Sequence, residues 1–149
     1  MAVREYVGTI QVTAVELAKM NQAQLKMLET VQGGSGARLQ SSLNALSLTA
    51  GVIGLFLTGG AATVAGLVSA TTGVVGSYSS YNSVLATVMQ NGCNSMGSIV
   101  ADLLSLPQYD LFEIEFPFID FTDKNIRYVQ GGGIVRRAHV KGGNGWVTW

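Results

Sequence analysis

Over residues 3–12 polar and apolar positions alternate. Tyr6, Ile10 and Val12 fall on one side of an extended chain and Val3, Val7 and Thr9 on the other, which predicts a strand. The period then lengthens. Thr13-Ala14-Val15-Glu16 has the order of a capping box, in which Thr13 accepts from the first turn and Glu16 reaches back. It opens a helix over 14–32 with Leu17, Met20, Leu25, Met27, Leu28 and Val31 on one side. Glu16, Lys19, Gln22, Lys26 and Glu29 lie on the other, so one face is wet. Gly33-Gly34-Ser35-Gly36 stops this helix. A phosphate-binding loop would need a preceding strand, a set glycine spacing and a Lys-Ser/Thr pair, and none is present.

From Leu39 to Ala101 the chain has no Asp, Glu, Lys, Arg or His. Residues 37–106 therefore read as an apolar helical region. Its first helix, over about 37–57, carries Leu39, Leu43, Leu46, Ala50, Ile53 and Leu57 at alternating four- and three-residue steps. Small residues continue that rhythm at Gly59, Ala62, Gly66, Ser69, Gly73, Gly76, Ser80 and Ser83, a stripe that would let another helix approach closely. Thr58-Gly59-Gly60 is a breaker, since each glycine weakens a helix by about 1 kcal/mol relative to alanine. The simplest arrangement is a hairpin with the large residues of 39–57 on the small ones of 62–76. A continuous apolar rod is the alternative. A last helix over about 83–106 is expected to be interrupted at Asn91-Gly92-Cys93-Asn94 and closed by Pro107.

After Tyr109 the period returns to two. Phe112, Ile114, Phe116 and Phe118 share one face while Glu113 and Glu115 point away. Ile126–Gln130, Ile134–Lys141 and Gly145–Trp149 supply three more short strands, separated by the turn-forming Gly131-Gly132-Gly133 and Gly142-Gly143-Asn144-Gly145. Residues 109–149 thus form an antiparallel meander, joined by the strand at 3–12. The fold class is α+β in one domain, 1–149: a charge-free Gly/Ala/Ser-rich helical hairpin and amphipathic helices beside a small antiparallel sheet.

Composition sharpens this picture. Charged residues are 12% of the 149, about half the usual share, and Gly numbers 19 against two Pro. The net charge of zero gives no support to nucleic-acid binding. The charge is segregated, however. Asp102, Asp110, Glu113, Glu115, Asp120 and Asp123 form an acidic block, and Lys124, Arg127, Arg136, Arg137 and Lys141 a basic one, so the two are expected to pair. Cys93 is the single cysteine, read as a buried structural thiol, and it excludes an internal disulfide. The start, MAVREYVGTIQV, lacks the pattern of a signal peptide. His139, the only histidine, stands among basic residues and reads as a solvated strand residue. No catalytic constellation, cofactor site or metal site is expected. The cluster Arg136, Arg137, Lys141, Trp146 and Trp149 suits either a lipid headgroup region or a subunit interface.

Between Gly51 and Gly76 the only polar side chains are Thr58, Thr63, Ser69, Thr71 and Thr72, and about 20 apolar residues suffice to cross a bilayer. No basic residue flanks this stretch closely, so the usual orientation signal is missing. Over about residues 43–78 the chain resembles, in composition alone, the inserting hairpins of bacterial pore-forming toxins and the spans of phage holins. The sequence expectation is a non-enzymatic, self-assembling protein. Its partner is itself as a homo-oligomer, its apolar hairpin enters or lines a lipid bilayer, and it is located at a membrane or in an extracellular particle. The alternative is a structural subunit of a soluble filament, shell or virion, with the same helices buried between copies.

Overall fold

The alternation over residues 3–12 does become a strand. In the computed structural model, which describes residues 2–149, β1 (Val3–Val12) runs antiparallel to β2 (Tyr109–Phe121) along its full length, with Val3 opposite Phe121 and Val12 opposite Phe112. The far side of β2 is shared. β3 (Ile126–Val129) pairs with Phe118–Phe121, and β4 (Ile134–Val140) pairs with the stretch from Tyr109 to Glu115. β5 (Trp146–Thr148) continues from β4, giving a five-stranded antiparallel sheet in an α+β fold.

A proline inside the central strand is explained by that sharing. Proline lacks the amide that a ladder needs. Pro117 falls in the gap between the end of β3 and the start of β4, and its carbonyl accepts from the Gln130 amide at 3.0 Å. Nothing is lost by the missing N–H. Ile10, Val12, Phe112, Ile114, Phe116 and Phe118 bury one face of the sheet. At its far end the opposite face is buried too, through Phe121, Ile126 and Tyr128.

Thr13 and Glu16 make the reciprocal capping box at the head of α1 (Ala14–Val31). α1 is the central helix, touching the sheet, α2 (Gly36–Asn44), α4 (Val64–Ser77) and α5 (Asn82–Leu104). Its buried positions include Leu17, Met20, Met27, Leu28 and Val31 together with the polar Gln24. The Gln24 amide nitrogen donates to the Val129 carbonyl at 2.8 Å and the Met89 carbonyl at 3.1 Å. Its oxygen accepts from the Val129 amide at 2.8 Å. A glutamine side chain thus takes the place of a neighbouring strand along the outer edge of β3 and ties it to α1 and α5.

Two expectations for the helices are corrected. The helix foreseen over 37–57 ends at Asn44, and Ser47 turns left-handed with φ 54°. Thr49 then caps a single turn, α3 (Ala50–Ile53), by accepting from the Val52 amide. Ser and Thr side chains that bond the local backbone compete with a continuous helix. Beyond α3 the chain runs alongside β3, with the Arg127 amide donating to the Phe56 carbonyl at 2.8 Å and the Thr58 amide to the Asn125 carbonyl at 2.9 Å. The interruption foreseen at 91–94 is absent, and α5 is one unbroken helix. Gly92 is there because α5 passes so close to β3 that a Cβ would overlap the Val129 carbonyl.

α4 buries Leu67, Thr71 and Val74, and Tyr78 follows at its end. Thr71 and Tyr128 share a buried hydroxyl pair at 2.9 Å, and burial raises the Tyr128 phenol far above its ordinary range. No helix is long and apolar enough to cross a membrane among the described residues.

Candidate interaction surfaces

The hairpin contact expected between the large residues of 39–57 and the small ones of 62–76 forms only at Leu57. α2 does meet α4, but Gly36 lies against Val68 and Thr72, away from the small-residue stripe. Gly59, Ser69, Gly76, Ser80 and Ser83 are exposed, and Ala62, Gly66 and Gly73 are half-buried. Among the large residues of the 39–57 seam, Leu57 reaches the stripe at Gly66, and the Lys124 side chain lies over Gly73. Gly66, Ser69, Ala70 and Gly73 therefore floor a surface groove of about 430 Å³, walled by Leu57 and by the β2–β3 turn at Asp123–Asn125.

The acidic and basic blocks meet across β2 and β4. Arg136 reaches Glu115 with two bonds, Nε at 3.0 Å and Nη2 at 3.1 Å. Arg137 reaches Glu113 at 2.9 Å, and Gln11 of β1 donates to the same carboxylate. His139 Nδ1 lies 2.7 Å from Asp110. At the other end of the sheet Arg4 donates to the buried Asp120 at 3.0 Å. Lys141, Trp146 and Trp149 complete the corner. The Arg137 guanidinium stacks 4.3 Å above the Trp146 ring, and Trp149 packs edge-on to Tyr109. Trp149, opposite Arg136, is still 54% exposed, and Lys141, just past the end of β4, is exposed as well. This corner uses its arginines internally, so what it offers outward is chiefly aromatic.

The bonds from Arg137 and Arg136 hold the Glu113 and Glu115 carboxyls below the usual glutamate range. A depressed folded-state pKa contributes stability above the ordinary value, about 4.3, and that contribution is lost as pH falls through the lower folded value. Acidification below about pH 4 is therefore expected to loosen β4 and β5 before the helices. Trp146 fluorescence should change ahead of far-UV ellipticity in an acid titration, and simultaneous changes would contradict the prediction.

No set of three or more His, Cys, Asp or Glu is brought together as a metal would require among the described residues. Cys93 is buried, which pushes its thiol up to about 11 and away from thiolate chemistry.

The third surface had no signal in the hydrophobic pattern. Among the described residues β1 pairs on one side only. The Thr122 amide donates to the Ala2 carbonyl at 2.9 Å, and the register from Val3 to Val12 is unbroken. By alternation, the even-numbered residues exchange bonds with β2, while Val3, Glu5, Val7, Thr9 and Gln11 turn their N–H and C=O groups outward. Val7, in the middle, is 62% exposed. Native sheets usually blunt such edges with lysine, proline, a bulge or short length. β1 has ten residues with no lysine, proline or bulge, and its two charges, Arg4 and Glu5, both lie in its first half.

Compared with protein-family models, curated proteins and solved structures, the chain gives no match in any of the three.

Proposed function

We propose that the chain is a non-enzymatic structural subunit that associates with copies of itself in water. The observation that carries this reading is the open edge of β1, ten residues long, free of proline and bulges, with no partner strand among the described residues. The aromatic corner around Trp146 and Trp149 and the groove over α4 give the same subunit further contact surfaces.

Membrane insertion of the 51–76 stretch is less well supported. It would have to draw Val52, Ile53, Phe56, Leu67 and Val74 out of the core, where each is 4% exposed or less. Lipid would shield these side chains from water as the core does, so what the unpacking gives up is their close packing against the rest of the fold. α4 itself has 14 residues, or about 21 Å of helix, against a hydrocarbon core of about 30 Å.

Light scattering in detergent-free buffer, run alongside dye release from liposomes, tests the reading. A particle heavier than the 15.7 kDa chain with no dye release is expected. Dye release at comparable protein concentration would return the apolar stretch to a membrane role.

A further inference from the structure

Five residues of β1 present both backbone groups to the outside, where a second strand with the same alternation can take the place of water. This restricts what fits. A strand as long as β1 bonds all five residues at once, whereas a shorter one bonds only some of them. β5 offers only three residues, whereas β1 of another copy matches the length and the pattern.

We infer that two copies pair antiparallel through β1, with the two-fold axis passing between their Val7 residues, so that the two sheets become one continuous sheet. The inference rests on the self-association proposed above and gives it a definite contact. In this register Val7 faces the partner's Val7, Glu5 faces the partner's Thr9 and Val3 faces the partner's Gln11. Each facing pair joins two outward residues and exchanges both backbone bonds.

Charge and burial select this register over its neighbours. An axis at Glu5 sets two carboxylates directly opposite, which is destabilising. An axis at Thr9 shortens the overlap and places Val7 against Gln11. Axes at Tyr6 or Gly8 keep the alternation but set each exposed valine against Glu5 or Thr9. Only the axis at Val7 buries the exposed valine against itself and separates the two Glu5 carboxylates by roughly 14 Å, beyond the Debye length of about 8 Å at physiological salt.

The test is a cysteine scan of the full chain: Val3→Cys, Glu5→Cys, Val7→Cys, Thr9→Cys and Gln11→Cys, each oxidised under mild conditions. The native Cys93 is buried and stays out of the reaction. Facing Cα atoms in a bonded pair lie about 5.5 Å apart, within disulfide range, whereas Val3 and its symmetry mate would lie roughly 27 Å apart. The Val7→Cys variant is expected to give a covalent dimer in high yield, and Val3→Cys and Gln11→Cys none. Val7→Lys, an exposed substitution that leaves the fold intact, is expected to halve the particle mass. A monomeric wild-type chain overturns both this inference and the self-association beneath it. A wild-type oligomer that cross-links best as Glu5→Cys or Thr9→Cys, equally at two neighbouring positions, or at none overturns the Val7 axis alone.

Discussion

Replacing Gly92 by alanine should unfold the protein at a markedly lower temperature. The added methyl would overlap the Val129 carbonyl and come within 2.8 Å of the Gln24 amide nitrogen. Both neighbours are fixed, one by the backbone of a buried strand and the other by three hydrogen bonds. α5 must therefore move off β3, and overpacking of this kind costs about 3 kcal/mol or more. For a chain of this size that corresponds to a fall of roughly 10 °C in Tm. Gly76→Ala supplies the control. It also lies in a helix, with nothing within 4 Å of the new methyl, so it should be neutral or slightly stabilising. Thermal melts of the two variants side by side decide the matter, and equal shifts would contradict the close approach of α5 to β3.

Gln24→Leu should be nearly as damaging, for a different reason. Leucine fills similar space and suits a helix, so neither volume nor propensity predicts a large loss. What disappears is the partner of two buried backbone groups, the Val129 N–H and the Val129 C=O, while the Met89 C=O loses a second donor but stays bonded within α5. An unsatisfied buried polar group costs about 1–3 kcal/mol, which places the total near roughly 3–5 kcal/mol. Gln24→Glu should fail as well, because a carboxylate accepts from the Val129 amide but donates nothing to the two carbonyls. Urea titration measures the loss, and hydrogen exchange at the Val129 amide locates it. A leucine variant as stable as the wild type, with Val129 still protected, would remove Gln24 from its place at the edge of β3.

These two residues mark the boundary of what the sequence reveals. Period-two alternation around Phe112–Phe118 and period-3.6 spacing around Leu17–Val31 are local signals, and both elements stand where the pattern places them. The Thr13–Glu16 cap is equally local. Gly92 is read as an interruption because glycine and asparagine are poor helix formers, by about 1 kcal/mol per glycine. Its actual role depends on a strand more than thirty residues further along the chain, which no window over residues 83–106 can see. Gln24 sits on a helix whose polar residues mostly face water, so its burial has no local signature either.

The small-residue stripe shows the reverse case. Its regular spacing from Gly59 to Ser83 is real, but half of its members lie in a loop, a 3-10 turn or the start of α5, and the helical part faces a groove bordered by Leu57 and Lys124. Periodicity identifies a face; it does not say which neighbour covers it. The open edge of β1 lies beyond any pattern in residues 3–12, because an edge is defined by which strand is absent beside it.

Sedimentation velocity over a wide range of protein concentration, in buffer without detergent, measures the self-association of the chain directly. Self-association through the β1 edge predicts a species heavier than the 15.7 kDa chain that dissociates on dilution and is lost in Val7→Lys. A single 15.7 kDa species at every concentration, for wild type and variant alike, would contradict it.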